Sequence, residues 1–564
     1  MSPIPLNNAT FSLLLGTFAH VSLLKNFELD TWIPLFFVTS LASLTSLIFY
    51  HVHYDALSPA ATLFYTVKEA TCFLLGVFTS MTIYRLFFHR IRHFPGPILA
   101  RVTRFYNLYL SGKNVKYYDE LDKLHNQYGD FIRTGPREIS ILRKSAVSLI
   151  YGPQSACLKS TWYSAVSNDS AKAQMFYSRD PVDHKRRRKA WDRAFSVKSL
   201  RTYAPLIRAK VEQLTSTLAS SATAPKDATA WMMMLAFDIM GEVGYGQDFG
   251  GIDTGKEHPA AKAIHDHMTI LSVVGTVPWL LYLLQFIPGA SKGYAPFFKW
   301  STGQIQGKKA TWNPEKEPKD IASWLIKAVM EKDVSASPTT ASLNDDGRLI
   351  IIAGSDTSAS ANACTLYYLA SNPHILAKLQ SRLDAAMPNG PQDWSYDSVA
   401  SINYLDDVIK ESLRLKPPVI TGGYRVTPPE GLQVDEVYIP GDVNVIVPIQ
   451  LIHTDKKYWK KPLDYIPERW GERKEELGTD ETLFMPFSQG LTNLKAIGVY
   501  KCVGDKMAMI SMRIAISSIV QQFDLRLASG ETGEAFDKER KDAFTTVLKP
   551  LQLLFVPRKK FGKA

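Results

Sequence analysis

A chain of 564 residues with 46% hydrophobic and 21% charged residues can bury a large core, and its length exceeds one ordinary domain. A formal charge of +11 points to an anionic membrane surface or an acidic protein partner, and no nucleic-acid motif accompanies it, which sets nucleic acid aside. The four cysteines, Cys72, Cys157, Cys364 and Cys502, lie far apart without CxxC or Cys/His spacing, so neither a disulfide framework nor a zinc site is suggested.

Residues 1–93 read as a membrane region with two to three transmembrane helices. Thr31 to Tyr50 is a run of about twenty residues without a charge, enough to cross a hydrocarbon layer of roughly 30 Å. Ala70 to Phe88 is a second run, broken only by Arg85 near its end, where a long side chain can reach the headgroups. Ala9 to Leu24 is shorter and carries His20, so its crossing is the weakest of the three. No basic segment precedes it, which argues against a cleaved signal peptide. The cluster Arg85, His89, Arg90, Arg92, His93 follows the last run and should stay cytoplasmic. The catalytic part would then be cytosolic on the endoplasmic reticulum membrane. With three spans the amino terminus would be lumenal, where the sequon Asn8-Ala9-Thr10 could make the chain a glycoprotein.

Phe94-Pro95-Gly96-Pro97 forms a proline-bracketed turn that starts the soluble domain, residues 94–564. This part reads as mainly α with small β-sheets, the strand-like pieces falling near 129–144 and 423–449. Met268 to Ile287 is apolar and nearly long enough to span a bilayer. Pro278 and Gln285 interrupt it, so helices and a loop lining a substrate entrance are expected instead.

Several motifs carry chemistry. His184-Lys185-Arg186-Arg187-Arg188-Lys189 is a basic run, followed by Trp191 and Phe195. Ala353-Gly354-Ser355-Asp356-Thr357-Ser358 lies in a buried helix expected from about Asn344 to Ser371-Asn372-Pro373. Glycine and aspartate are both unfavourable there, glycine by about 1 kcal/mol relative to alanine, so a functional reason is sought. Gly354 would let a ligand approach the backbone, the Thr357 hydroxyl would hold dioxygen or water, and Asp356 would help relay protons. The bland alternative has Thr357 bonding back to a helix carbonyl and Asp356 reaching solvent. Glu411-Ser412-Leu413-Arg414 ends a helix before Pro417-Pro418, and Pro467-Glu468-Arg469-Trp470 follows. Last comes Phe487-Ser488-Gln489-Gly490, then Gly498-Val499-Tyr500-Lys501-Cys502-Val503-Gly504.

In this order the motifs resemble those of the cytochrome P450 family, in its fungal microsomal, membrane-anchored form, over roughly residues 94–557. The resemblance implies the family's mainly α fold and a heme b whose iron is ligated by the Cys502 thiolate. It also implies Phe487 in the ligand loop, the acid-alcohol pair Asp356 and Thr357 serving dioxygen, and a buried structural network of Glu411, Arg414 and Arg469. His184, Arg188 and Arg425 would bind the haem propionates. Backbone N–H groups near Val503 and Gly504, at the start of a helix from Asp505, would stabilise the thiolate. One departure is plain: deleting the eight residues Leu491 to Gly498 restores the family pattern, which reads as intronic sequence retained by a misplaced splice acceptor.

With no Rossmann or flavin glycine motif in the chain, electrons are expected from NADPH through a reductase partner, NADPH-cytochrome reductase, with cytochrome b5 as an alternative donor. Arg186, Arg187 and Lys189, with Lys501 and Lys506, would form the solvated face that docks it. The substrate would be a hydrophobic small molecule of secondary metabolism, a terpenoid, alkaloid or polyketide. Two other outcomes stay open here: a reductase-independent haem-thiolate isomerase or dehydratase, and an inactive product whose insertion prevents iron ligation.

Overall fold

The computed structural model describes residues 7–26, 30, 32–164, 169, 171–220, 224–284, 286–289, 292–489 and 500–559. Three helices open the chain: Asn8–Ser22 (α1), Ile33–His53 (α2) and Pro59–Ile83 (α3), the last running on as a π-helical turn over Tyr84–Phe88. Leu35–His53 and Pro59–Phe88 are long and apolar enough to cross a membrane. The 15 residues of α1 extend only about 22 Å at 1.5 Å per residue, short of a full hydrocarbon layer.

Small residues set how α1 meets α3. A Cβ added to Gly16 would lie 2.1 Å from the Phe73 carbonyl oxygen, and one on Gly76 would lie 2.1 Å from that of Leu13. The helices therefore touch backbone to backbone, as small-residue crossings permit. Further along both, His20 Nδ1 and Ser80 Oγ share a 2.9 Å hydrogen bond, so α1 and α3 run parallel. Between α1 and α2, Asp30 Oδ2 accepts from Arg104 Nη1 at 3.1 Å and from the Thr161 hydroxyl at 3.0 Å, tying this connection to the globular part.

The globular part packs helices around a long central one. The helices that build the site are Pro181–Ala194 (α4), Ala228–Tyr245 (α5), Pro259–Val274 (α6), Thr340–Ser371 (α7), Asn403–Leu415 (α8) and Asp505–Gln522 (α9). Asp180 caps α4 by accepting from the Val182 N–H, and Thr339 with Ser342 forms a reciprocal capping box on α7. This cap starts α7 four residues before the expected Asn344, while its end at Ser371 falls where Pro373 predicts. The apolar run 268–287 is not one continuous helix: α6 stops at Val274, and a separate short helix occupies Pro278–Leu284.

Five strands form the main sheet: Phe131–Gly135 (β1), Glu138–Ile141 (β2), Leu158–Lys159 (β3), Arg425–Val426 (β4) and Asn444–Ile446 (β5). Their spatial order is β1-β2-β5-β4-β3. The β2–β5 pair is parallel, with Ile139 opposite Val445, and the others are antiparallel. In the β3–β4 pair Lys159 stands opposite Arg425, placing two cations side by side.

Candidate functional site

The ligand loop is the natural starting point. The backbone N–H of Cys502 donates to the Phe487 carbonyl at 3.1 Å, so the two halves of the motif meet although fifteen positions separate them. The segment Leu491 to Gly498 lies outside the described residues. Helix α9 begins at Asp505, and Gly504 is its N-cap. A Cβ on Gly504 would stand 3.9 Å from Cys502 Sγ and 3.6 Å from the Phe195 ring, so the loop turns tightly against α4. Burial raises the Cys502 thiol above its ordinary value, and a backbone hydrogen bond from Gly504, with Arg188 and Lys501 nearby, works the other way. The residue as a whole nevertheless keeps an exposed surface.

Tyr500, two residues before the cysteine, is the centre of a cationic cluster. His184 packs edge-on against its ring at 4.9 Å. Lys159 Nζ lies 4.6 Å and the Arg425 guanidinium 5.1 Å from the ring centroid. Arg188 donates to the Lys501 carbonyl at 2.7 Å and pairs with Asp192 at 2.7 Å. Lys159 and Arg425 have no carboxylate partner among the described residues: Lys159 donates to the Phe176 and Ser178 carbonyls, and Arg425 to the Tyr163 hydroxyl. Burial, reinforced by Arg425, Arg187 and Arg188, pushes the Lys159 ammonium well below its ordinary value. Burial with Lys159 and Arg188 lowers His184 to about 2. His184 Nδ1 and the Tyr500 hydroxyl are buried with no partner among the described residues.

Such a group of crowded cations and unpaired polar atoms is costly unless an anion joins it. Two porphyrin propionates beside a cysteine sulfur meet that requirement, and the residues present fit a haem. His184, Arg188 and Arg425 were expected here. Lys159 was not, and nothing in Leu158-Lys159 signals it; only strand pairing brings it opposite Arg425.

On α7, Asp356 and Thr357 lie where a buried helix was expected. Asp356 is 2% exposed and does not reach solvent. Its Oδ1 is 2.8 Å from His265 Nε2 on α6, while Oδ2 is buried without a partner among the described residues. Burial alone would lower the His265 imidazole, but Asp356, with Glu257 and Asp266, carries it above its ordinary value. The side chain of His265 is 29% exposed, so the pair links a buried carboxylate to the outside. Thr357 does donate to the Ala353 carbonyl, at 2.7 Å, as the bland alternative foresaw. At Gly354 a Cβ would lie 2.3 Å from Met240 Sδ, so the missing side chain makes room for that methionine of α5.

Glu411, Arg414 and Arg469 are all fully buried and directly bonded. Glu411 accepts from Arg414 Nε and Nη2 at 2.9 and 2.8 Å, from Arg469 Nε at 2.8 Å, from Trp470 Nε1 at 3.0 Å and from the Ile466 N–H at 3.0 Å. Arg414 also donates to the His453 carbonyl at 2.9 Å. His453 Nδ1 faces the Arg414 carbonyl at 3.2 Å and its Nε2 accepts from the Met485 N–H at 3.0 Å. This requires the neutral imidazole, consistent with burial lowering it to about 3. The network thus ends two residues before Phe487, through a histidine that no motif announced.

The basic run on α4 is less solvated than expected. Arg187 is 1% exposed and pairs with buried Asp346 on α7 at 2.8 Å, and Arg186 donates to the Val334 and Ala336 carbonyls. Lys185, Lys189 and Lys506 remain exposed. Lys501 pairs with Asp505 at 2.6 Å.

The Cytochrome P450 family model matches residues 95–555. Cytochrome P450 monooxygenase orf5 of Eupenicillium brefeldianum is 37% identical over 485 residues, 86% of this chain and 95% of that protein. Cytochrome P450 monooxygenase FCK2 of Fusarium pseudograminearum is 33% identical over 558 residues, 98% of each. Cytochrome P450 monooxygenase phqL of Penicillium fellutanum is 31% identical over 87% of this chain and 84% of its own length.

Proposed function

The chain belongs to the cytochrome P450 family and is a monooxygenase, and from that premise we propose that it inserts one atom of dioxygen into a hydrophobic small molecule of secondary metabolism. Electrons come from NADPH through NADPH-cytochrome reductase. The observation that carries the reading is the meeting of the Cys502 loop with Lys159, His184, Arg188 and Arg425 around Tyr500.

When bound, haem supplies dioxygen activation, and a cysteine thiolate on its iron favours O–O cleavage over oxygen carriage. The chain's own residues do the rest. Cys502 provides the sulfur, and the Gly504 backbone with the start of α9 favours its anionic form. His184, Arg188, Arg425 and Lys159 hold the propionates. Asp356 keeps a proton station inside α7, and His265 resupplies it from the partly exposed side. Thr357 spends its own proton on Ala353, so its oxygen remains as an acceptor that positions a proton donor.

The catalytic part lies in the cytosol with the helices in the endoplasmic reticulum membrane. Arg90 and Arg92 after the last span support this side. The tie of Asp30 to Arg104 and Thr161 supports a connection between α1 and α2 on the same side as the catalytic part. Exposed Lys185, Lys189 and Lys506 form the basic face for the acidic reductase.

A carbon monoxide difference spectrum of the reduced full-length protein tests the core of the reading. The strongly red-shifted Soret band of thiolate-ligated haem is expected, and it should vanish in Cys502→Ser. An unchanged band in that variant, or none in the parent, overturns it.

A further inference from the structure

A largely apolar cavity of about 70 Å³ with one polar wall lies beside the main sheet, between β2, the segment Thr421–Tyr424, the turn after α6 and the hairpin that carries Asp542 and Phe544. Its rim includes Arg104 and Thr161, the two residues that Asp30 holds from the membrane side.

The lining is rich in acceptors. Glu138 and Asp542 are 5% and 7% exposed. Neither forms an ion pair with any described residue. Glu138 Oε1 accepts from Asn107 Nδ2 at 3.1 Å and from the Thr134 hydroxyl at 2.9 Å, and Asp542 accepts from the Thr421 hydroxyl. Arg104, the cation on the wall, pairs with Asp30 and also acts on Glu138, whereas Asp542 has only Arg540, acting at a distance. The Ser111 and Ser160 hydroxyls, 4% and 1% exposed, line the same space with no hydrogen-bond partner among the described residues. Burial pushes the Asp542 carboxyl up to about 6 and raises that of Glu138 as well. Buried polar groups are ordinarily satisfied, and here the Asp542 carboxyl, with no cation in contact among the described residues, stands with the Ser111, Ser160 and Tyr117 hydroxyls, whose oxygens have no hydrogen-bond partner among those residues.

The opposite wall is apolar: Trp162 and Phe544 stack at 5.1 Å, and Pro278 closes the side toward α6. The space admits a small head group and not a polycyclic body. We propose that this cavity binds a protonated nitrogen of an otherwise apolar substrate, with Asp542 as its anionic acceptor, the Ser160 hydroxyl oxygen beside it and the Trp162–Phe544 pair against the adjoining hydrocarbon. This rests on the monooxygenase reading and narrows its substrate to a basic, nitrogen-containing class. Carboxylate and hydroxyl oxygens on one wall suit an ammonium centre, which donates and does not accept.

The test uses the full-length haem protein in lipid nanodiscs and two probes of matched chain, N,N-dimethyldecylamine and decan-1-ol. Binding is measured by equilibrium dialysis, corrected with protein-free discs. The amine should bind roughly tenfold more tightly than the alcohol, the margin of one good charge-assisted contact. Asp542→Asn should erase most of that preference. Ser160→Ala has no hydrogen bond to lose, so its fold is secure, and it should weaken amine binding alone. Equal binding of the two probes by protein that shows the thiolate band overturns the proposal and leaves the monooxygenase standing. A preference that survives both substitutions also overturns it. Absence of the thiolate band in the parent protein removes both readings together, and the spectrum distinguishes that case.

Discussion

Replacing Glu411 by glutamine keeps the side-chain volume and removes one charge from the most tightly bonded group in the protein. In the parent the carboxylate faces two guanidinium groups, an indole N–H and a backbone N–H, all buried. In the variant an amide NH2 must point at Arg414 Nε–H and Trp470 Nε1–H, or at the other set, so donors oppose donors. Removing one partner of a buried ion pair destabilises by about 3–5 kcal/mol. The arginines keep their bonds to the His453, Pro462, Lys460 and Lys461 carbonyls, so the lower end of that range applies. With an unfolding entropy of about 2.1 cal/mol/K per residue, a soluble part of this size loses only about 3 °C in Tm for such a change. The local effect should be larger, because Arg414 reaches the ligand loop through His453 and Met485. The assay pairs thermal melting by circular dichroism with the carbon monoxide spectrum after mild heating. Glu411→Gln should convert to the blue-shifted, thiolate-lost form at a temperature where the parent does not. Equal Tm and equal retention of the band would refute the reasoning.

His265→Gln should lower the fraction of NADPH electrons recovered in product several-fold while leaving the thiolate band intact. Because Asp356 raises the imidazole, the charged pair is complete below the free value of about 6.5 and is lost as pH rises through the higher folded value. Coupling in the parent should therefore decline toward alkaline pH and be flat in the variant; identical profiles would count against the relay. Gly354→Ala drives a methyl group into Met240 and should destabilise by about 1–3 kcal/mol, with Met240→Ala restoring part of the loss in the double variant, as read by melting. Lys159→Met should speed haem transfer to an apo-globin acceptor by about tenfold if its charge holds a propionate, and an unchanged rate would assign the lysine to packing alone.

Much of the site could be read in the sequence because its parts are adjacent in the chain. Glu411 and Arg414 share a helical face, and Asp356 and Thr357 are neighbours. Phe487 and Cys502 belong to one loop, whose closure survives the added length. What escaped notice came singly from other segments: Lys159 from a two-residue strand, His265 from the face of α6, His453 from a short turn of helix. None has a spacing that ties it to its partner, because the pairing exists only after the sheet and helices assemble. Arg187 was misjudged for a different reason. A run of six basic residues looks uniformly solvated, yet His184, Arg187 and Trp191 recur at helical spacing and face inward, where Asp346 waits. Gly354 shows the limit of motif reading, since a missing side chain says that something approaches but not what.

The pairing of β3 with β4 has a consequence for how the prosthetic group is chosen. Lys159 is set against Arg425, with His184 and Arg188 closing from α4, and under the proposed function the tetrapyrrole's acid side chains would be the counter-ions of this interior. A porphyrin with those acids esterified would offer the same iron and the same flat apolar ring. It would still leave the like charges unneutralised, so uptake discriminates at the rim of the macrocycle as well as at its metal.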